Sequence, residues 1–176
     1  YLDATGGERV NSITIDSNDN IFIAGFTDGS LADSNSAGSP DIFIAKLNSD
    51  GAFLWVSQIG ETAISTFGGD QSGDEYAYDI RVDSGENIYI TGYTSGNLVE
   101  PIGGGTDAVI AKFDSTGVLQ WIRQYGSVSV PGNLGSEICY TLTLHGDKPL
   151  CAGATTGDMS EANGGGAQDD IFITKT

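Results

Sequence analysis

Cations are scarce in this chain. Seven lysines and arginines face 24 aspartates and glutamates, with one histidine, for a net charge of −17. Like charge repels at long range, which argues against nucleic acid and anionic membrane surfaces as partners. The one histidine, His145, lies in an expected turn beside Gly146 and Asp147. A Ser-His-Asp relay needs its histidine held by packing next to an activated serine, so a solvent-facing turn residue is expected instead. One histidine and two separated cysteines do not make a zinc ligand set either. Two cysteines also exclude a disulfide-dense scaffold. No run approaches the roughly 18 to 20 apolar residues that cross a bilayer, so membrane insertion is not expected. No basic segment leading into an apolar stretch marks a signal peptide, and no Asn-x-Ser/Thr acceptor occurs. The sequence starts at Tyr1 without a methionine, so a processed product or a piece of a longer chain is expected.

Proline is rare and glycine abundant, four against 26, which suits many tight turns rather than a disordered tract. What the chain has in quantity is itself. The run GDEYAYDIRVDSGENIYITGYTSGNL (Gly73 to Leu98) recurs upstream as GERVNSITIDSNDNIFIAGFTDGSL (Gly7 to Leu31) and, more loosely, downstream as GSEICYTLTLHGDKPLCAGATTGDM (Gly135 to Met159). Gly25, Gly92 and Gly153 mark the same place in each copy, a period of about 60 to 70 residues.

In the second copy Tyr78, Ile80 and Val82 alternate with Asp79, Arg81 and Asp83, the period of a half-buried strand. The turn formers Ser84 to Asn87 follow, then Ile88 to Thr94 as a β-branched and aromatic strand closing a hairpin. A loop with Gly103 to Gly105 leads to a third strand, Asp107 to Phe113, and the turn Asp114 to Gly117 to a fourth, Val118 to Tyr125. The first copy matches: Ser12 to Asp16, Ile21 to Thr27, Asp41 to Leu47 and Phe53 to Ile59. The third supplies Tyr140 to Leu144, Leu150 to Thr155 and Asp170 to Lys175. Four antiparallel strands repeated at this spacing give an all-β chain of β-propeller blades. The expected divisions are 1–67, with the end of a preceding outer strand at 1–3, then 68–131, and 132–176 without its outer strand. Closed propellers carry about four to eight blades. Three repeats therefore predict an incomplete ring, completed by other chains or by further sequence.

Asp83 to Thr94, preceded by Gly73 to Ile80 and followed by Asp107 to Asp114, resembles the SBBP family of bacterial β-propeller repeats. Tyr1-Leu2 fits that resemblance, since such repeats often carry Tyr-Leu just before the Gly-rich start of the next blade. The likeness covers essentially the whole chain and is weakest in the third repeat, where His145 replaces Asp83 and the turn is one residue shorter. It implies a propeller in secreted or surface-exposed bacterial proteins, mostly without an assigned activity, and brings no catalytic motif.

Several residues recur with the repeat. Glu8, Glu75 and Glu137 precede the first strand, while Lys46, Lys112 and Lys175 share one position on the third. Together with Asp41, Asp107 and Asp170 they are expected to anchor each blade through partly buried ion pairs or hydrogen bonds to turns. The alternative is a ring of ligand-binding lysines. Asp16, Asn18 and Asn20 space oxygens as a calcium loop opens, but Ile21 stands where the loop's glycine belongs and no bidentate acid follows. A plain Asx hairpin turn is the simpler reading. The acidic loops Asp28 to Asp33, Asp70 to Glu75 and Glu161 to Asp170 leave weak Ca²⁺ binding open; no other cofactor is expected.

If Val82 faces Ile88, the homologous register sets Leu144 opposite Pro149 and Cys151 opposite Leu142. Cys139 then points to the other face, which predicts two free, buried thiols rather than a disulfide. Trp55 and Trp121 match on the fourth strand and are expected to pack between blades rather than form a carbohydrate platform. The glycine runs at Gly103 to Gly105 and Gly164 to Gly166 lack the Lys-Ser/Thr of a phosphate loop.

These features predict a non-enzymatic extracellular or cell-surface propeller acting as an interaction, adhesion or assembly module. Its partners would be a protein or glycan surface, another copy, or further blades of the same polypeptide. A glycan-processing enzyme is the rival, and needs a loop with clustered Asp, Glu, His or Tyr. The longest departure from the repeat, Glu61 to Ser72, offers only Glu61 and Asp70. A calcium-stabilised adhesin is the second rival.

Overall fold

A computed structural model describes residues 6–31, 39–60, 73–127, 135–157 and 170–175. The expected strand end at 1–3 and the loop from Glu61 to Ser72 lie outside these residues. Among the described residues the regular elements are eleven strands: β1 Glu8–Ile15, β2 Ile21–Thr27, β3 Asp41–Leu47, β4 Phe53–Ile59, β5 Glu75–Val82, β6 Ile88–Thr94, β7 Asp107–Phe113, β8 Leu119–Tyr125, β9 Glu137–His145, β10 Lys148–Thr155 and β11 Asp170–Lys175. They form three antiparallel meanders in chain order, β1 to β4, β5 to β8 and β9 to β11. Each is a propeller blade, and the third is described with three strands.

The hairpin turns come from one recurring device. Asp16 Oδ1 accepts the amides of Asn18 and Asn20 at 2.8 and 2.9 Å, and Asp83 Oδ1 those of Gly85 and Asn87 at 2.8 and 2.9 Å. Asn48 and Asp114 hold the β3–β4 and β7–β8 turns in the same way. These turns need a left-handed residue two positions before the next strand begins. Gly51 and Gly117 supply it at φ 77° and 83°, but Asp19 and Glu86 adopt φ 60° and 61° with side chains.

The first strand of every blade begins three or four residues before the expected start, for a reason alternation conceals. Val10 pairs with Gly25 but Ser12 with Ala24, so Asn11 is an extra residue; Tyr78 and Tyr140 are extra at the same place in β5 and β9. A β-bulge inserts one residue and reverses the in-out parity beyond it. At each bulge the opposing backbone closes onto a glycine. A Cβ on Gly25, Gly92 or Gly153 would collide with the carbonyl oxygen of Arg9, Tyr76 or Ile138, so nothing larger fits there.

That parity change overturns the expectation of free thiols. Leu144 does face Pro149 and Leu142 does face Cys151. The extra Tyr140 then returns Cys139 to the face that carries Cys151, opposite Gly153, and the two are disulfide-bonded with Cα atoms 5.9 Å apart.

The blades stack face to face. Ala77, Ile80, Ile88, Ile90, Val109, Ala111 and Phe113 of the second blade bury against Phe22, Ala24, Ile42, Ile44 and Ile59 of the first. Ala108 and Ile110, on the other face, meet Cys139 and Cys151 of the third. Trp55 packs at the first of these seams, close enough to the β7–β8 turn that a Cβ on Gly117 would touch its ring.

Candidate functional site

The repeated glutamates and lysines lie at opposite ends of their blades and do not meet among the described residues. At one end Glu75, Thr94 and Asp107 share one row across three strands. Thr94 donates from Oγ1 to Glu75 Oε1 at 2.6 Å, and Gln124 donates from Nε2 to Asp107 Oδ2 at 2.8 Å. The third blade repeats the first of these, Thr155 Oγ1 to Glu137 Oε1 at 2.7 Å, and the first blade the second, Gln58 Nε2 to Asp41 Oδ2 at 2.7 Å. These acids also lace one blade to the next. The Glu75 amide donates to Pro40 O at 2.7 Å, the Glu137 amide to Thr106 O at 2.8 Å, and Glu137 Oε2 accepts the Ser127 amide at 2.8 Å. Glu75 and Glu137 are fully buried, whereas Glu8, at the outer side of the first blade, is exposed. Burial pushes the Asp107 carboxyl above its ordinary range; the bonds from Gln124 and Gly103 pull against this and the charges of Glu137 and Glu100 add to it.

At the other end the lysines differ from one another. Lys46 is buried over the Phe22 ring, 4.8 Å from its centroid, with Nζ 3.8 Å from Asp16 and 3.9 Å from Glu86 of the next blade. Glu86 also accepts from Asn18 Nδ2 at 2.9 Å, so the strained left-handed position carries two contacts across the seam. Lys112 sits over the Tyr89 ring at 5.3 Å and forms no ion pair among the described residues. Lys175 lies opposite Leu150 on β11; its side chain is outside the described residues.

Asp16, Asn18 and Asn20 do meet, as a turn. Besides the two amides, Asp16 Oδ2 accepts Asn20 Nδ2 at 2.8 Å. Burial alone would raise the Asp16 carboxyl, but the bonds from Asn20 and Asn18 and the Lys46 charge hold it below its ordinary range. Both oxygens of Asp16 are thus engaged by N–H donors, and both asparagine side chains present N–H groups to carboxylates. Among the described residues no three His, Cys, Asp or Glu side chains come together as a metal site.

Two arrangements escaped sequence reasoning. Asp79, buried in β5, accepts Ser12 Oγ of the first blade at 2.9 Å and the Leu142 amide of the third at 2.9 Å, with Thr141 Oγ1 at 3.3 Å and Arg81 Nη1 at 2.5 Å. Ser12, Asp79 and Thr141 are the residues just after the three bulges, so an acid placed there reaches both neighbours. The second is a line of rings, Phe26, Tyr76, Tyr93, Tyr78 and Tyr140, with successive centroids 4.3 to 5.8 Å apart across all three blades. Two of its members are the bulge residues. Burial first, then neighbouring Tyr78, Tyr76 and Asp74, pushes the Tyr93 hydroxyl far up.

Between the second and third blades lies a cavity of about 260 Å³ lined by Tyr89, Lys112, Trp121, Arg123, Asp147 and Pro149. The Arg123 guanidinium stands 5.8 Å over the Trp121 ring. The Tyr89 hydroxyl is within bonding distance of Asp83 Oδ2, 3.1 Å, and Asp147 O, 3.0 Å. Burial and the adjoining Asp83 push it up to about 12.

The SBBP family model, a beta-propeller repeat, matches residues 9–32. The chain carries an SBBP β-propeller repeat. No curated protein gives a significant match. The matched SBBP repeat spans β1, the Asp16 turn, β2 with Gly25, and Thr27 with its turn partner Gly29. The same pieces recur as the Asp83 turn, Gly92, Thr94 and Gly96 in the second blade, and as Gly153, Thr155 and Gly157 in the third. These recurring pieces set the turn, bulge and seam of the blades. The residues around the cavity vary on that frame: Phe22 becomes Tyr89, and the Asp83 to Asn87 turn shortens to Gly146-Asp147.

Proposed function

We propose that this SBBP propeller is a non-enzymatic interaction and assembly module, at work outside the cell or on its surface, whose first blade takes a further blade of the same kind. One observation carries the reading. Val10, Ile13, Ile15 and Phe53 are 50%, 63%, 60% and 44% exposed on the outer face of the first blade. Their repeat equivalents in the second blade are Ala77, Ile80, Val82 and Leu119, which pack on the blade before them. The open face therefore has the design of a seam, and a blade's trailing face is what fits it. An oxidising location is supported by the Cys139–Cys151 disulfide, which reducing compartments disfavour. The absence of catalysis is supported by the use of the buried acids: Asp41 and Asp107 hold Gln58 and Gln124, and Asp79 holds three blades together.

Native mass measured by light scattering tests this. The protein is expected to associate, and Ile13→Asp to weaken association at least tenfold, since fully burying one such side chain is worth about 1.5 to 3 kcal/mol. A wild-type chain that stays a folded monomer at high concentration contradicts the proposal.

A further inference from the structure

We propose that the cavity between the second and third blades binds a uronate, a pyranose bearing one carboxylate, with that carboxylate held between Lys112 and Arg123. At the other seam the protein answers the same lysine position with its own acids. Lys46 has Asp16 and Glu86 within 3.8 and 3.9 Å. Both answers are withdrawn at Lys112. The equivalent of Asp16 is Asp83, and its Oδ2 faces the hydroxyl of Tyr89, a group that Phe22 lacks. The equivalent of Glu86 is lost with the shorter turn, where Asp147 lines the cavity without forming an ion pair with Lys112. A partly buried cation that lines one cavity with a second cation, in a chain with only seven bases, therefore has none of the ion-pair partners that Lys46 has among the described residues.

The rest of the lining says what kind of carboxylate fits. Glu86 is in effect an internal ligand, one carboxylate at a lysine beside an aromatic pair. The second seam repeats that pair as Tyr89 and Trp121, rings 6.3 Å apart, and adds Arg123, whose planar fork suits a carboxylate. Tyr89 is fully buried, so it is the half-buried Trp121 ring, beside charge, that meets the C–H face of a sugar. The Asp147 backbone carbonyl and the Tyr89 hydroxyl, 3.0 Å apart, give the cavity polar partners for sugar hydroxyls, which a uronate carries and an acidic peptide side chain does not. A net charge of −17 also disfavours a ligand with several charges. The volume of about 260 Å³ suits one such ring.

Calorimetric titration of the whole chain with glucuronate, glucose, acetate and N-acetylglutamate amide tests the proposal. Glucuronate is expected to bind one site per chain, at least tenfold tighter than any of the other three. Lys112→Gln and the exposed Arg123→Gln should each weaken it about tenfold or more. Replacing residues 145–148 by the sequence of residues 83–87 restores an internal glutamate and should abolish binding. The circular dichroism of each variant confirms that it is folded. Glucuronate binding no tighter than glucose, acetate or the glutamate derivative overturns the proposal. So does binding that survives in folded Lys112→Gln and Arg123→Gln.

Discussion

Carboxylates in this chain titrate in opposite directions according to what surrounds them. Asp16 and Asp83, although buried enough to be pushed up, accept enough N–H bonds to lie below the ordinary carboxylate value of 3.8. Their stabilisation is present above that value and is lost as pH falls through the lowered native one. Asp107 is the reverse: its contribution is full below 3.8 and is lost as pH rises through its raised native value. Asp107→Asn keeps an oxygen for Gln124 and removes the charge. Its stability relative to wild type, from urea melts between about pH 3 and pH 7, should therefore rise with pH and then level off. A difference independent of pH would show that the Asp107 charge is not strained by burial. Of the residues marked in the sequence, the recurrence of Glu75, Glu137, Asp107 and Lys46 was legible because repetition itself flags them. Their partners were not, because Gln124, Thr94 and Glu86 reach them only once strands are in register.

The unit that matters most at the next scale is the bulged first strand. Alternation predicted the strand centres but broke at Asn11, Tyr78 and Tyr140, and with it failed the starts of β1, β5 and β9 and the facing of Cys139. A signal existed on the opposite strand. Gly25, Gly92 and Gly153 interrupt otherwise β-branched and aromatic runs, and glycine inside a strand marks a bulge or a close backbone approach. Gly92→Ala drives a methyl into the Tyr76 carbonyl, so the hairpin must lose its bulge or open. We expect a loss of about 3 kcal/mol or more in urea melts, well above the roughly 1 kcal/mol typical of a point mutation. Ala154→Gly, one residue beyond the equivalent position in the third blade, should cost about 1 kcal/mol or less. Similar losses in the two variants would mean that the glycine is incidental.

In the whole molecule, blades are usually treated as beads that feel only the next bead, with stability a sum of repeats and nearest-neighbour seams. Asp79 adds a coupling between the two seams, because one carboxylate of the second blade accepts from Ser12 of the first blade and from Leu142 of the third. Asp79→Ala should cost about 3 to 5 kcal/mol, as expected when buried donors lose a charged partner. Hydrogen exchange should then report β1 and β9 opening together, although they belong to different sheets. If the variant frees only one of them, the bond to the other is unimportant. The scale at which the chain reads most clearly is this largest one, since repetition announces blades before any residue is assigned. The link itself was hidden, because an acid between Tyr78 and Ile80 looks like an ordinary outward-facing strand position. Its consequence concerns memory along the array. A perturbation at the first blade is felt at the third without passing through the second blade's core, so the three are expected to melt as one cooperative unit, where a simple string of repeats would fray from its end.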